Sequence, residues 1–413
     1  MSAGFFVFVV LMVAILAALN HHVYRWANRA FDLSRTGRRL LAGVLVSSLV
    51  LMTLGRVLDR YLKSSAVSDL LFAANLAELA VMISAILLLL VDLGALLGRL
   101  PNRILAFRAR RAKGEPEEAR PAELPTVTRR TLLVQAAAGS AFLVGGSSSV
   151  YGALVGRHDY HVEELPIHLP GLSKALDGFS ILQLSDVHIG SFVGDPELEA
   201  GIELVRRARP DLIVLTGDLL DHDARFADML GRFTRRLGPL ARQGVVAITG
   251  NHDYYSGVEP IVGALERAGA RVLRNRGEVI GGAQGFALLG VEDVWAKRID
   301  PSIGPDLERA VRSLPTVDGK HVGRDLPRVL LCHNPSYFEH AAGHVQVQLS
   351  GHTHGGQVNL LVKPGELFMK NGWIAGLYER SGSHLYVNRG FGTAGPPARV
   401  GATPEITRVV LTA

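Results

Sequence analysis

The sequence predicts an α/β domain, with sheets covered by helices, that follows an all-α N-terminal transmembrane region. Apolar residues make up 48% of the 413-residue chain and are concentrated in its first 150 residues. From Phe179 onward, short apolar runs typical of buried strands alternate with segments of helical composition. Five of these runs end in residues suited to metal binding, and functional sites in α/β folds form where strands end.

Three apolar segments predict transmembrane helices within residues 1–98. They are residues 4–19, 40–55 and 79–98. A helix needs about 20 apolar residues to cross a bilayer, so the second segment is of borderline length. A fourth segment, residues 131–156, contains no charged residue but is only weakly apolar. It is therefore predicted to be either a fourth span or a membrane anchor.

The basic residues around these segments predict the orientation of the chain. Five arginines accompany the first loop, three basic residues lie in the second, and nine occur in the linker of residues 99–130. Because positively charged loops remain in the cytoplasm, the first and third loops are predicted to be cytoplasmic. The globular domain, residues 157–413, is then predicted to lie outside the cytoplasm.

Arg129 and Arg130 stand directly before the fourth segment and have two interpretations. The sequence around them resembles a twin-arginine signal, which exports domains already folded around their cofactors, although such signals usually begin a chain. Alternatively, the two arginines are ordinary positive-inside anchors. Both interpretations place the globular domain on the same side of the membrane.

Strand and helix signals alternate along the globular domain. Residues 196–209 have helical composition, with Pro196 in the first turn and Asp195 as a candidate N-cap. Residues 224–242 are also helical, and they are basic. The apolar runs that predict strands are FSILQLSDVH, DLIVLTGD, GVVAITGNHD, RVLLCHNP, VQVQLSGHTH, SHLYVNRG and EITRVVLT.

Five ordered motifs supply carboxylate, amide and imidazole side chains at the ends of strands. This mixture of oxygen and nitrogen donors suits a pair of divalent cations. Side chains two positions apart on an extended strand face the same way. The pair Asp186 and His188 can therefore bind one cation, and so can the pair His352 and His354. The motif residues are Asp186, His188, Asp218, Asp221, Asn251, His252, Asp253, His333, Asn334, His352 and His354.

This set of motifs resembles the calcineurin-like metallophosphoesterases over roughly residues 160–413. The GHTHGGQ sequence of residues 351–357, together with residues 386–393 and 404–406, is similar to a membrane-anchored bacterial branch of that family. The resemblance implies a two-sheet β-sandwich flanked by helices and a binuclear metal centre that hydrolyses phosphoesters. Together with the predicted spans, it predicts a multi-pass protein of the bacterial cytoplasmic membrane. The three N-terminal spans lie outside the resemblance.

The resemblance also implies a role for each motif residue. His252 would stabilise the phosphorane or protonate the leaving oxygen, and the carboxylate of Asp221 would orient His252. A ligand role or a structural hydrogen bond is the alternative for His252. The implied ligands are Asp186, His188 and His354 for the first metal, Asn251, His333 and His352 for the second, and Asp218 as a bridge between both.

Several polar residues near the motifs have two interpretations. Gln357 either donates to a phosphate oxygen or braces its loop. Asn388 and Arg389 either approach the phosphate, for which the fork of arginine is suited, or form structural interactions. The single cysteine, Cys332, is predicted to be a small buried residue on the strand face opposite His333. The remaining histidines, His222 among them, are predicted to have surface or core roles.

The predicted function is membrane-anchored hydrolysis of phosphodiester or phosphomonoester bonds by a hydroxide that bridges two divalent cations. A donor set without thiolates suits Mn²⁺, Zn²⁺ or Fe, and the many imidazoles suit Mg²⁺ less well. An outward-facing domain predicts a phosphoester substrate of the cell envelope or derived from lipid, with membrane lipids as neighbours.

Three other functions remain open. A lipid-linked nucleotide-sugar pyrophosphatase fits the motifs but is disfavoured by the predicted topology. A regulatory or scaffold membrane protein with a weakly active module is disfavoured by the complete set of motifs. A nucleic-acid hydrolase is disfavoured because the C-terminal half has no basic groove interleaved with aromatic residues. The net charge of +6 is instead explained by the basic loops between the spans.

Overall fold

The computed structural model describes residues 3–62, 64–110, 129–317, 320–321, 323, 325–360, 363, 365–366 and 370–413. The chain divides into two compact units, which are residues Met1–Tyr151 and residues Gly152–Ala413. The boundary falls slightly before the predicted start of the globular domain at residue 157. The last turn of the fourth helix belongs to the C-terminal unit, where the carbonyl of Gly152 accepts a hydrogen bond from the backbone N–H of Arg399 (2.9 Å).

Long apolar helices make up the described part of the N-terminal unit. They are α1 (Ala3–Phe31), α2 (Arg35–Leu62), α3 (Ser65–Arg110) and α4 (Arg129–Leu154). The segments long and apolar enough to cross a membrane are Val9–Phe31, Arg35–Gly55, Ala66–Gly98 and Thr131–His158. All four apolar segments predicted from the sequence therefore lie in such helices.

The predicted basic linker, residues 99–130, has more helix than its composition indicates. The third helix continues past residue 98 to Arg110, and α4 begins at Arg129. Residues 111–128 of the linker lie outside the described residues.

A buried carboxylate joins three of the apolar helices. Glu78 of α3 is fully buried. Its Oε2 accepts a hydrogen bond from Nδ2 of Asn20 in α1 (2.9 Å), and its Oε1 accepts one from Oγ of Ser48 in α2 (2.5 Å). A carboxyl group in an apolar bundle is costly unless it is hydrogen-bonded, so these contacts hold α1, α2 and α3 in one arrangement.

The C-terminal unit is built on two mixed six-stranded sheets. The first consists of β1 (His161–His168), β2 (Ser180–Leu184), β3 (Leu212–Thr216), β4 (Val245–Ile248), β5 (Arg271–Val272) and β14 (Glu405–Thr412). The second consists of β6 (Arg276–Ile280), β7 (Phe286–Gly290), β10 (Arg328–Leu331), β11 (Val347–Ser350), β12 (Gly376–Arg380) and β13 (Ser383–Val387). The strands β8 (Thr316–Val317) and β9 (Lys320–His321) pair with each other as a separate antiparallel sheet.

The strand order brings several carboxyl ends together in each sheet. The first sheet has the order β1-β14-β2-β3-β4-β5, in which β2, β3, β4 and β5 run parallel. The second has the order β12-β13-β11-β10-β7-β6, in which β13, β11, β10 and β7 run parallel. The strands that precede the metal-type motifs are all among these parallel neighbours.

Alternate residues of the central strands face two different apolar clusters. Ile181 and Val214 of the first sheet face Leu288 and Val329 of the second, so one cluster fills the space between the sheets. Leu182 and Ile213 of the first sheet, and Leu289 and Leu330 of the second, face outward and pack against helices. Strands that are buried on both faces need unbroken apolar sequence, which explains the apolar runs. Each fully buried aliphatic side chain contributes about 1.5–3 kcal/mol.

Helices cover the outer face of each sheet. The outer cluster of the first sheet contains residues of α5 (Asp195–Ala208), α6 (Ala227–Leu237) and α8 (Val258–Arg267). That of the second contains residues of α9 (Leu307–Arg312) and α10 (Phe338–Ala341). A short helix, α7 (Asn251–Ser256), follows β4 directly. The prediction of a two-sheet β-sandwich flanked by helices, behind an apolar helical region, is therefore confirmed.

Candidate metal centre

The ends of five strands place the predicted motif residues in one buried cluster. Six of the seven predicted ligands, together with His252, fall into three groups whose possible ligand atoms lie within 4.8 Å of one another. The groups are Asp186–His188–His354, His188–Asp218–His252 and Asp218–His333–His352. The seventh, Asn251, begins α7 directly after β4. The structure thus brings together side chains that are far apart in sequence.

The first group converges on a point between two imidazoles. The Nε2 atoms of His188 and His354 lie 3.0 Å apart, and Nε2 of His354 lies 3.4 Å from Oδ1 of Asp186. The backbone N–H of His352 donates to both carboxylate oxygens of Asp186 (3.0 Å each), which fixes that carboxylate. Imidazole and carboxylate atoms at these distances suit a single divalent cation.

The third group, Asp218–His333–His352, is arranged around His333. Its Nδ1 lies 2.9 Å from the carbonyl of Thr216, to which it can only donate, so the neutral ring has a lone pair at Nε2. That Nε2 lies 3.2 Å from Oδ2 of Asp218. The ring of His352 stands 5.2 Å from that of His333. The hydrogen bond to Thr216 therefore presents His333 as a ligand.

Besides Nδ1 of His188, two possible ligand atoms of this cluster are buried without a hydrogen-bond partner among the described residues. They are Nε2 of His333 and Oδ1 of Asn251, and both side chains are buried. Orphaned buried polar atoms are rare because each costs free energy. A cation held by these atoms would satisfy both. The donor set, which contains no thiolate, therefore fits divalent metal ions.

Asp218 belongs to both sides of the cluster. Its Oδ2 lies 3.2 Å from Nε2 of His333 and 3.8 Å from Nε2 of His188. Its Oδ1 accepts a hydrogen bond from the backbone N–H of His252 (2.8 Å). This position between the two groups suits a carboxylate shared by two cations, and the bridging role stays a prediction.

The backbone at five of these residues is in the left-handed region. The φ angles are 53° at Asp186, 51° at His188, 52° at Asp218, 74° at His352 and 52° at His354. Residues other than glycine adopt this region at a cost of about 1–3 kcal/mol each, and such positions concentrate at functional sites. The fold therefore accepts strain in order to turn these side chains toward one another.

Two glycines allow the strand ends to approach the cluster closely. A Cβ atom at Gly250 would collide with Oδ1 and the backbone nitrogen of Asp218. A Cβ atom at Gly351 would collide with Oγ of Ser185 and Oδ2 of Asp186. Glycine is therefore required at both motifs for steric reasons.

Burial and neighbouring charges set the protonation of the cluster. Burial acts to raise the pKa of Asp218, but the imidazoles of His333, His252 and His188 outweigh it and hold that pKa well below its ordinary value. Burial, with the charge of His333, lowers the pKa of His352 to about 3. Burial acts to lower the pKa of His333, but Asp218 outweighs it and raises that pKa well above its ordinary value. Without metal and at neutral pH the cluster therefore presents an ionised Asp218, a neutral His352 and a protonated His333, whose proton a bound cation would displace.

Asp221 lies beside His252, as predicted, and contacts it most closely through its backbone. The backbone carbonyl of Asp221 accepts the hydrogen bond from Nδ1 of His252 (2.5 Å), whereas the nearest carboxylate oxygen lies 3.6 Å away. The carboxylate instead contacts Nδ1 of His222 (2.8 Å). The backbone N–H of Asp221 donates to Ile189 (3.1 Å), which fixes the loop with its carbonyl toward α7. The backbone contact thus accompanies the longer carboxylate contact, and the orienting role of the Asp221 carboxylate stays a prediction.

Arg399 and Asp293 are buried at the cluster, and sequence reasoning missed both. Nη2 of Arg399 lies 3.0 Å from Nδ1 of His354, and its Nη1 donates to the carbonyls of His354 (3.0 Å) and Arg389 (2.7 Å). No sequence signal marks Arg399, because its partners are backbone carbonyls and one histidine 45 positions away. Asp293 follows the apolar strand β7, so the pattern of a strand ending in a carboxylate could have found it.

The structure decides between the alternatives for Gln357 and Arg389. Nε2 of Gln357 donates to the carbonyl of Ala394 (2.9 Å) and its Oε1 accepts from the backbone N–H of the same residue (3.0 Å). Arg389 forms ion pairs with Glu405 (3.0 Å) and Glu163 (2.7 Å). Both side chains therefore have structural partners.

Asn388 and Cys332 are also structural. Nδ2 of Asn388 donates to Oγ1 of Thr407 (2.7 Å). Cys332 is fully buried in the apolar cluster on the outer face of the second sheet. Burial raises the pKa of its thiol well above the ordinary value, which agrees with the prediction of a buried apolar residue.

Comparisons with known proteins identify the family. The calcineurin-like phosphoesterase profile matches residues 179–356. An uncharacterized metallophosphoesterase of Aquifex aeolicus is 32% identical over 251 residues, which cover 60% of this chain and 91% of that protein. The metallophosphoesterase YkuE of Bacillus subtilis is 30% identical over 281 residues, which cover 64% and 90%.

A relative with a membrane part is also similar. The transmembrane protein with metallophosphoesterase domain of Danio rerio is 31% identical over 286 residues. The match covers 66% of this chain and 62% of the zebrafish protein, so the chain spans less than two thirds of that relative. With the matched profile and the near-complete coverage of the two bacterial relatives, the chain belongs to the calcineurin-like phosphoesterase family.

Proposed function

We propose that the chain is a membrane-anchored, metal-dependent phosphodiesterase. The observation that carries the proposal is the pair of ligand groups that share Asp218, Asp186–His188–Asp218–His354 on one side and Asp218–His333–His352 on the other. Asn251 completes the second set, since its Oδ1 is buried without a partner among the described residues.

The carboxylate and imidazole side chains of the cluster are suitable ligands for divalent cations. When bound, two divalent cations neutralise the phosphoryl oxygens and supply a nucleophile at neutral pH. The carboxylates and imidazoles of the cluster hold that charge in a buried position, where electrostatic interactions are stronger than in water. The absence of a thiolate favours Mn²⁺, Zn²⁺ or Fe over softer ions.

His252 is placed to assist the leaving group. Its ring stands 4.7 Å from that of His188, and its side chain is 22% exposed, so it lies at the opening of the cluster. Nδ1 donates to the carbonyl of Asp221, which leaves Nε2 directed away from that contact. To donate a proton from Nε2, the ring must carry a proton on each nitrogen. Asp221 acts as a positioning residue through its backbone.

A preference for diesters follows from the arginines beside the cluster. Arg389 is paired with Glu405 and Glu163, and Arg399 donates to backbone carbonyls. The charge of Arg389 is therefore already paired with two carboxylates and contributes little to neutralising the second negative charge of a phosphomonoester. A diester carries one charge less and so needs less compensation.

We place the catalytic domain outside the cytoplasm of a bacterial inner membrane. The four apolar helices and the name of the zebrafish relative support a membrane protein, and the basic loops support the orientation. Arg129 and Arg130 then act either as a twin-arginine-like export signal or as anchors. The corresponding substrate is a phosphodiester of the envelope or derived from lipid. The lipid-linked pyrophosphatase remains the alternative if the domain faces the cytoplasm.

Cysteine labelling tests the orientation. The only native cysteine, Cys332, is fully buried, so an introduced cysteine is the reactive one. Ser381→Cys, at an exposed turn of the catalytic domain, should react with a membrane-impermeant maleimide in intact cells. Ser34→Cys, in the loop between α1 and α2, should react only after lysis. The reverse pattern would contradict the orientation.

Turnover of two model esters tests the activity. The full chain, purified in a membrane mimetic and supplied with Mn²⁺, should hydrolyse bis-p-nitrophenyl phosphate faster than p-nitrophenyl phosphate. Asp218→Asn is the matched inactive control, because it removes one charge from the residue shared by both groups. Preference for the monoester would contradict the diester assignment, and equal activity in Asp218→Asn would contradict the proposed site.

A further inference from the structure

Two aromatic side chains border the candidate metal centre. Tyr255 of α7 is 48% exposed, and its ring stands 5.8 Å from that of His252. Trp295, which follows β7, has its ring 6.5 Å from that of His352. Since His252 and His352 each have a ligand atom within 4.8 Å of Asp218, the two aromatic rings border the same reacting point.

The turn that carries Trp295 adds an apolar and a cationic side chain. Ile299 is 50% exposed at the end of this turn, which is closed by a hydrogen bond from its backbone N–H to the carbonyl of Ala296 (2.9 Å). The guanidinium of Arg298 lies 3.5 Å from the centre of the Trp295 ring. We call Tyr255, Trp295 and Ile299 the apolar rim.

The position of the rim distinguishes it from ordinary surface. Single exposed apolar residues are common on proteins and need no explanation. Here Tyr255 lies on α7 and Trp295 on the turn after β7, two segments that follow strand ends of different sheets, and both aromatic rings border the ligand cluster. Apolar surface beside a few convergent polar groups is typical of a ligand site.

We propose, on the basis of the phosphodiesterase function above, that the apolar rim is the subsite for the group esterified to the phosphate, and that this group is an apolar chain. The substrate is therefore an amphiphilic phosphodiester, with its phosphate at the metal cluster and its chain along Tyr255, Trp295 and Ile299. Arg298 holds the Trp295 ring by a cation–π contact and adds positive charge for an anionic substrate.

The composition of the rim favours a chain over a nucleobase. A base would stack on aromatic faces, but Arg298 already covers one face of Trp295 and Ile299 offers no stacking face. An alkyl chain gains from any apolar contact, because burying apolar area is not directional. Tyrosine, tryptophan and isoleucine together therefore suit an alkyl chain.

A series of p-nitrophenyl alkyl phosphates tests the rim. The full chain in lipid nanodiscs is assayed with methyl, butyl and octyl esters, each below its critical micelle concentration, so that every substrate has the same leaving group. We expect kcat/KM to rise from methyl to octyl, mainly through a lower KM, by about fourfold for each methylene that the rim buries.

Rim variants and a matched surface variant locate the effect. Tyr255→Ala and Ile299→Ser should each bring the octyl-to-methyl ratio of kcat/KM toward one, at unchanged metal content. Leu377→Ser removes an apolar residue that is 46% exposed on β12, and the ratio should stay at the wild-type value. The ratio is measured within each variant, so a partly folded variant does not mimic the effect.

Four results would overturn the inference. If the methyl ester is hydrolysed and kcat/KM does not depend on chain length, the apolar subsite is contradicted and the phosphodiesterase function still stands. An octyl preference that persists in both rim variants would place the subsite elsewhere. Faster hydrolysis of the p-nitrophenyl ester of thymidine 5′-monophosphate than of the octyl ester would indicate a nucleoside site. Absence of metal-dependent turnover with every ester would remove the proposed function and the subsite together.

Discussion

The Nε2 atoms of His188 and His354 lie 3.0 Å apart, although the two residues are separated by 166 positions in the chain. Each residue follows a parallel strand, β2 in one sheet and β11 in the other. Two imidazole nitrogens at this distance repel each other through their lone pairs unless a proton or a cation lies between them. A proton on Nε2 of His354 removes the repulsion in the metal-free state, and a cation held together with Asp186, whose Oδ1 stands 3.4 Å from Nε2 of His354, would replace that proton.

Replacing Arg399 by lysine is expected to weaken metal binding although no metal ligand is replaced. Arg399 contacts Nδ1 of His354 and holds the surrounding loop through backbone carbonyls. A lysine has three donors on one nitrogen and cannot span these acceptors. The apparent metal Kd should rise by about 10–100-fold, measured by titration of the metal-free protein. An unchanged Kd would show that Arg399 only supports the fold.

Replacing His252 by alanine is expected to slow turnover while metal content is kept. Loss of a general acid costs about 10²–10⁴-fold. The loss should be larger for an alkoxide leaving group than for p-nitrophenolate, which departs without protonation. Rates for the two kinds of ester, together with elemental analysis, measure this difference. An equal loss with both leaving groups, or a loss of metal, would contradict the role in leaving-group departure.

The motif residues could be predicted from the sequence because each follows an apolar run. A strand that is buried on both faces must be apolar, and its first polar residues then fall at the edge of the sheet, as Asp186 and Asp218 do. The four membrane segments could be predicted for a similar reason, since length and hydrophobicity alone define them. In both cases the signal is local in sequence.

The contacts that depend on tertiary structure could not be predicted. Arg399 lies in a loop without a strand signal, and most of its partners are backbone carbonyls, which any residue type supplies. The contact between Asp221 and His252 uses a backbone carbonyl whose direction is fixed by Ile189, which no residue type reveals. Asp293 is the exception, because β7 ends in a carboxylate as the other motif strands do.

Asp293 is expected to make stability depend on pH. Burial raises its pKa from 3.8 to about 6, so the folded state binds a proton more tightly than the unfolded chain. This stabilisation is fully present below pH 3.8 and is lost as pH rises through about 6. Asp293→Asn keeps an acceptor for the backbone N–H of Trp295 (2.7 Å) and removes the titration.

The difference in the free energy of unfolding between wild type and Asp293→Asn should therefore change in one direction as pH rises. Relative to wild type, the metal-free variant should gain up to about 3 kcal/mol between pH 4 and 7. Thermal unfolding of the metal-free full chain at several pH values measures the change. A constant difference in Tm over this range would contradict the buried, protonated carboxyl group.

Glu78 is expected to stabilise the membrane unit. Glu78→Ala leaves the donors of Asn20 and Ser48 without their acceptor, at a cost of about 1–3 kcal/mol. Glu78→Gln keeps one acceptor oxygen and should lose less. The Tm of the two variants in a lipid environment measures the effect. Equal Tm values for wild type and Glu78→Ala would show that the hydrogen bonds do not hold the helices.

The number of metal ions bound by the full chain tests the central claim most directly. Elemental analysis after reconstitution with Mn²⁺ should give two ions per chain for wild type. His354→Ala should keep one ion, because it removes a ligand from one group only, and Asp218→Ala should bind fewer than His354→Ala because it removes the residue shared by both groups. One ion in wild type, or equal occupancy in Asp218→Ala and wild type, would contradict a binuclear centre built around Asp218.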